Sequence, residues 1–243
     1  MMTTEPRKVV YRNSPITHAF ISVGFDALKA FDFESLGQQL DRVLSDAMDG
    51  MMWETHATVY EKADDPGSPV VGIIVRSQDA KMFVQATTTS CVVLRLAPYE
   101  HWGRFFPVFI AAWTCFQQFV AVQKLTRVGI RYTNQFRPVD AAVPLGDVLN
   151  ITPIKLQLGT MTPTESLFTF VFEDADVALE ISVDDGPNDD DGRTIVLDID
   201  AAASDTLLET VGADIGESLE KIHAFADKAF EGCITQQTRG SLL

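Results

Sequence analysis

The run "LTRVGIRYTNQF" (residues 125–136) constrains the fold of this chain more than any other stretch. Successive side chains on a strand point to opposite faces of a sheet. Val128, Ile130, Tyr132, Asn134 and Phe136 therefore share one side, and Arg127, Gly129, Arg131, Thr133 and Gln135 share the other. The first set is mostly core-like and is expected to pack against helices. The second is polar and is expected on the sheet face away from them, with a glycine between two guanidiniums. A planar guanidinium suits a carboxylate held at two points. "VLDID" supplies Asp198 and Asp200 two positions apart, hence on one side of their own strand. The expected arrangement is a cross-strand network of Arg127 and Arg131 with Asp198 and Asp200. The functional alternative is a site for an acidic partner group or an anionic small molecule.

The remaining elements read in a repeated order. Strands are expected at 16–25, 54–62, 69–77, 80–87 and 90–97. A helix over about 32–50 follows the first of them, with Asp32 as cap, Leu36, Leu40, Val43, Leu44, Ala47 and Met48 on one face, and Gly50 as stop. A second helix runs from Pro98 to about Gln123, so aromatic that it must be buried on several sides, with Pro107 as a kink or first-turn residue. The order then restarts with a strand at 124–136 and a short helix in "VPLGDVL". Strands follow at 151–161, 166–174, 176–184 and 193–200, and a closing helix over about 204–231. Each half is thus β-α-β4-α, residues 1–123 and 124–243, forming one pseudo-duplicated unit.

The fold class expected is α+β: tandem β-α-β4-α halves forming a curved antiparallel sheet with helices on one face. That order resembles the fold of the TATA-box-binding protein, in which two such halves form a continuous saddle. The resemblance is one of topology and does not carry function.

A second resemblance lies in particular residues. Arg127-Val128-Gly129-Ile130-Arg131-Tyr132-Thr133-Asn134 is similar to the mid-chain R-x-G-[IL]-R-Y-x-N signature of a sporadically distributed bacterial protein family of about this length. "LDID" followed by "KIHAFADKAFEGCIT" resembles the closing pattern of that family. The resemblance implies a class of protein and no reaction. Patchy distribution suits an accessory cassette, such as defence or toxin neutralisation.

Charge removes some functions. The formal net charge is −15, whereas nucleic-acid binders need a basic footprint. Nucleic acid is therefore an unexpected partner, and a basic protein an expected one. Three cysteines at unrelated spacings, Cys91, Cys115 and Cys233, form neither a disulfide framework nor a zinc pattern. The start of the chain lacks the apolar run of a signal peptide. "FFPVFIAAWTCFQQFVAV" is broken by Pro107 and Gln117–Gln118, leaving too little to span a bilayer. The expected setting is cytoplasmic, with no membrane.

Motifs for chemistry are missing. His18, His56, His101 and His223 have no metal-ligand spacing. His223, beside the apolar stripe of the last helix, is expected either as a satisfied helix-face residue or as a polar contact in a groove. "DDGPNDDDG" (184–192) lacks the ligand order of a calcium loop and reads as a solvated hairpin. There is no phosphate loop and no nucleophile elbow. No cofactor, metal or catalytic residue is expected. Trp102, Phe105, Phe106 and Phe109 are expected in the core or, alternatively, at an oligomer interface.

These readings lead to a non-enzymatic protein-binding module. The alternative is a small-ligand binder or enzyme with a cleft between the sheet and the long helices, where Arg127, Arg131, Tyr132, Asn134 and His223 would be the polar groups.

Overall fold

The computed structural model describes residues 11–27, 32–48, 50–61, 67–138, 143–151, 168–173, 176–185, 193–210 and 215–243. Among the described residues nine strands form one antiparallel sheet: β1 Ile16–Ala27, β2 Trp53–Tyr60, β3 Val70–Ser77, β4 Met82–Thr87, β5 Ser90–Leu96, β6 Val122–Phe136, β7 Phe168–Glu173, β8 Val177–Asp185 and β9 Ile195–Ala203. Their order is β2-β3-β4-β5-β1-β6-β9-β8-β7. The first strands of the two expected halves, β1 and β6, lie side by side at the centre. On either side the strands run outward in reverse chain order. The remaining expected strand, at 151–161, falls almost wholly outside the described residues.

The described residues also form six helical segments: α1 Phe33–Ala47, α2 Trp102–Phe116, α3 Leu145–Val148, α4 Asp205–Thr210, α5 Ile215–Cys233 and α6 Gln236–Leu242. α1 starts where its cap was expected. The Asp32 carboxylate accepts from the Ser35 hydroxyl and from the Ser35 and Glu34 amides, which holds it below the usual carboxylate range. Gly50, just beyond the helix, has φ +83°, a conformation glycine adopts without strain.

Register shows which face the helices cover. Ile73, Ala86, Cys91, Val23 and Val128 stand in one cross-strand line from β3 to β6. Val75, Val84, Val93, Ile21, Ile130, Ala201 and Leu179 form the next, running on to β8. All of these are buried. On the same face, Phe25 of β1 packs on Trp113 and Phe116 of α2. Phe136 of β6 stacks with Phe230 of α5. α1 comes so close that a Cβ at Gly37 would lie 3.3 Å from the Ile73 side chain. The core is therefore the layer between this face and α1, α2 and α5.

The expected closing helix corresponds to α4 and α5, and residues 211–214 between them lie outside the described residues. α6 was not foreseen, because tertiary contacts hold it. Thr238 Oγ1 donates to the Val148 carbonyl (2.7 Å) and Thr235 Oγ1 to that of Asp147 (2.8 Å). No described helix is long and apolar enough to cross a membrane.

Candidate functional site

The face of the sheet opposite α1, α2 and α5 carries an unbroken line of side chains across all nine strands. From β2 to β7 it reads Glu54, Arg76, Phe83, Leu94, Phe20, Arg131, Asp200, Glu180 and Val171. The middle is apolar and the flanks are charged. Phe20, Phe83 and Leu94 are half-buried. Val92, Leu96 and Ile74 stand on the same face in neighbouring lines. Two imidazoles extend the apolar area: His18 stacks with Phe20, and His56 meets Phe83 edge-on at 6.1 Å.

Arg127 and Arg131 stand beside this area on β6. Arg131 binds Asp198 with two nitrogens, Nε to Oδ1 at 2.9 Å and Nη2 to Oδ2 at 2.7 Å. Arg127 donates to Asp200 and, through Nε, to Ser22 Oγ at 3.1 Å. In register Arg131 is opposite Asp200, so it reaches its partner diagonally, a distance that long side chains span. Arg127 also leans along β6 toward Asp200. The glycine between them explains the lean. A Cβ at Gly129 would lie 2.9 Å from Arg127 Nη2 and 3.0 Å from the Ala201 carbonyl. The missing side chain thus leaves room for the Arg127 guanidinium.

These pairs are part-exposed; the Arg131 side chain is 54% accessible and that of Asp198 17%. Exposed pairs contribute about 1 kcal/mol or less. Arg131→Ala is therefore expected to lower the melting temperature by only a few degrees in calorimetry, leaving a cooperative transition. An unchanged melting temperature would show that the pair does no structural work.

Three other residues singled out in the sequence face the opposite way. Tyr132, Asn134 and His223 are buried on the helix side. The Tyr132 hydroxyl meets His223 Nδ1 at 3.1 Å, and His223 Nε2 lies 3.3 Å from Asp227 Oδ2. Trp102 stacks on His223 with centroids 4.1 Å apart, while its Nε1 donates to Glu220 at 2.9 Å. Tyr99 closes the group edge-on against Tyr132. Burial pushes the Tyr99 and Tyr132 hydroxyls well above the usual tyrosine range. Asn134 donates to the Leu197 carbonyl at 3.1 Å. This group ties β6, α2 and α5 together. Because Tyr132 and Asn134 alternate with Arg127 and Arg131, the five polar groups suggested for one cleft are divided between two faces.

Trp102, Phe105 and Phe109 lie in the core, each at most 4% exposed, and Phe106 is half-buried. The three cysteines are free and buried. Among the described residues no group of His, Cys, Asp and Glu is placed to hold a metal ion. Most of "DDGPNDDDG" lies outside the described residues.

The apolar centre of the open face escaped the sequence reading. β5, "SCVVLRL", is apolar on both sides, and its one charge points inward. Arg95 is 7% exposed and bonds the Pro98 carbonyl, whereas Leu94 faces outward. A strand apolar on both sides was the available signal. No protein-family model matches the chain, and no curated protein does.

Proposed function

We propose that this is a non-enzymatic protein-binding module whose working surface is the open face of the sheet. Its partner is a protein segment with apolar side chains flanked by lysine or arginine. The observation that carries this reading is the nine-residue line, with an apolar centre on a face opposite the main helix layer. Eight interstrand gaps of about 4.8 Å make the line roughly 40 Å long. With strands of ordinary length the face offers on the order of 1,000 Å², comparable with the roughly 800 Å² per partner of a standard interface. Charge decides the partner's sign. Arg127 and Arg131 are paired with Asp200 and Asp198, while Glu180 and Asp184 on the same face are exposed. An incoming cation therefore meets excess carboxylate.

The mirror order of strands about β1 and β6 supports reading residues 1–123 and 124–243 as like halves of one platform. An accessory role in a bacterial cell, in defence or toxin neutralisation, suits a protein that acts by covering a basic partner. The free thiols suit a cytoplasmic setting.

The test is fluorescence anisotropy with two labelled peptides of equal length, one alternating leucine with lysine and one alternating leucine with glutamate. The expected result is saturable binding of the basic peptide alone, weakened at least tenfold by Leu94→Asp with unchanged circular dichroism. This substitution adds negative charge, so plain electrostatic attraction would strengthen binding. Equal or tighter binding to Leu94→Asp, or no binding of the basic peptide, overturns the reading.

A further inference from the structure

Of the four histidines, two stand on the open face at the margin of its apolar centre. His18 stacks with Phe20, centroids 6.3 Å apart, and lies in register between Leu96 of β5 and Thr133 of β6. His56 is the extra residue at the irregularity between Thr55 and Ala57 of β2, and its ring meets Phe83. The Thr17 hydroxyl donates to the Thr133 carbonyl at 3.1 Å. It therefore accepts from His18 Nδ1–H at 3.0 Å, which leaves Nε2 to take up a proton in acid.

Few charged groups face the two rings. Near His18 they are Asp198 of β9, in line beyond Thr133, and Arg131 of β6. Lys81 follows Leu96 on the other side, its carbonyl accepting from the Leu96 amide. Near His56 they are Glu54 of β2 and Arg76 of β3. Arg131 holds Asp198 and Arg76 holds Glu54. Neither carboxylate is free to serve an imidazolium.

We infer that His18 and His56 make the open face proton-sensitive, so that it holds a basic, apolar segment at neutral pH and releases it in mild acid. The inference rests on the function proposed above. Imidazoles change charge between pH 5 and pH 8. Neutral, the two rings extend the apolar area. Charged, they place two cations where lysine or arginine must approach. A seated partner also strips water from them, and this again disfavours the charged form. The complex thus binds fewer protons than the free chain, so affinity is complete above the imidazole range and is lost as pH falls through it. Ordinary carboxylates titrate near pH 4 and keep their charge at pH 5.5.

Fluorescence anisotropy with the leucine–lysine peptide, at pH 7.5 and pH 5.5 and one ionic strength, tests this. The dissociation constant of the parent chain is expected to rise at least tenfold at pH 5.5. In the His18→Gln, His56→Gln double variant the ratio between the two pH values should fall below threefold, whatever its affinity at pH 7.5. Calorimetry of the parent chain at pH 6.5, in two buffers of different ionisation heat, should show protons released on binding. Equal affinity of the parent at both pH values, no proton release, or an undiminished ratio in the double variant overturns this inference and leaves the proposed function standing. Absence of binding at either pH overturns both.

Discussion

Between pH 9 and pH 12 the protein is expected to unfold cooperatively. Burial pushes the Cys91 thiol up from 9.0 to about 12, and those of Cys115 and Cys233 to about 11. All three side chains are at most 7% exposed. The unfolded chain ionises these thiols first, so their contribution is complete below pH 9 and is lost as pH rises toward the folded values. Tyr132 and Tyr99 act in the same direction above pH 10, the ordinary tyrosine value. So does Tyr11, raised to about 12 by burial and by its bond to Glu231. A tenfold change in acidity corresponds to about 1.4 kcal/mol. These groups all lose stability in the same direction as pH rises, and together they draw on a typical total stability of only about 5–15 kcal/mol. Far-UV circular dichroism across this range checks the expectation. A fold that persists unchanged at pH 12 would mean that the thiols reach solvent.

Replacing Phe109 by alanine is expected to have the largest effect of any single substitution in α2. The ring is fully buried and stacks with Trp113, which in turn contacts Phe25 of β1. Truncating such a ring costs about 3–5 kcal/mol, because the surrounding core does not fully collapse into the space. For a chain of this size that lowers the melting temperature by on the order of 10 °C. The loss should be the same at every protein concentration, since Phe109 packs within its own chain. Phe106, half-buried at the outer side of the helix, should tolerate alanine far better. A concentration-dependent melting temperature that disappears in the Phe109 variant would instead assign the aromatic helix to a subunit interface.

The strand alternation in 124–136 made much of the site legible. Period two alone separates Val128, Ile130 and Tyr132 from Arg127 and Arg131, and it puts Asp198 and Asp200 together on β9. The cap at Asp32 was equally readable, because it depends on residues within one turn. What the sequence could not show depends on distant partners. Arg95 lies inward because Asp79, Glu100 and the Pro98 carbonyl receive it, and none of this is visible in the pattern of β5. The same inversion leaves Leu94 on the open face. His223 is fixed by Tyr132 and Trp102, which lie 91 and 121 positions earlier in the chain. α6 has little pattern of its own and is held by hydroxyls reaching the α3 carbonyls.

Which surface a partner touches can be measured directly. Hydroxyl-radical footprinting of the protein, alone and with the basic peptide bound, compares side chains of the two faces in one experiment. Protection of Phe20, Phe83 and Leu94, with Phe106 and Ile110 oxidised at the same rate in both samples, is the result the open-face account requires. Protection of Phe106 and Ile110 with Phe20, Phe83 and Leu94 unchanged would contradict it and move the binding surface to the outer side of α2.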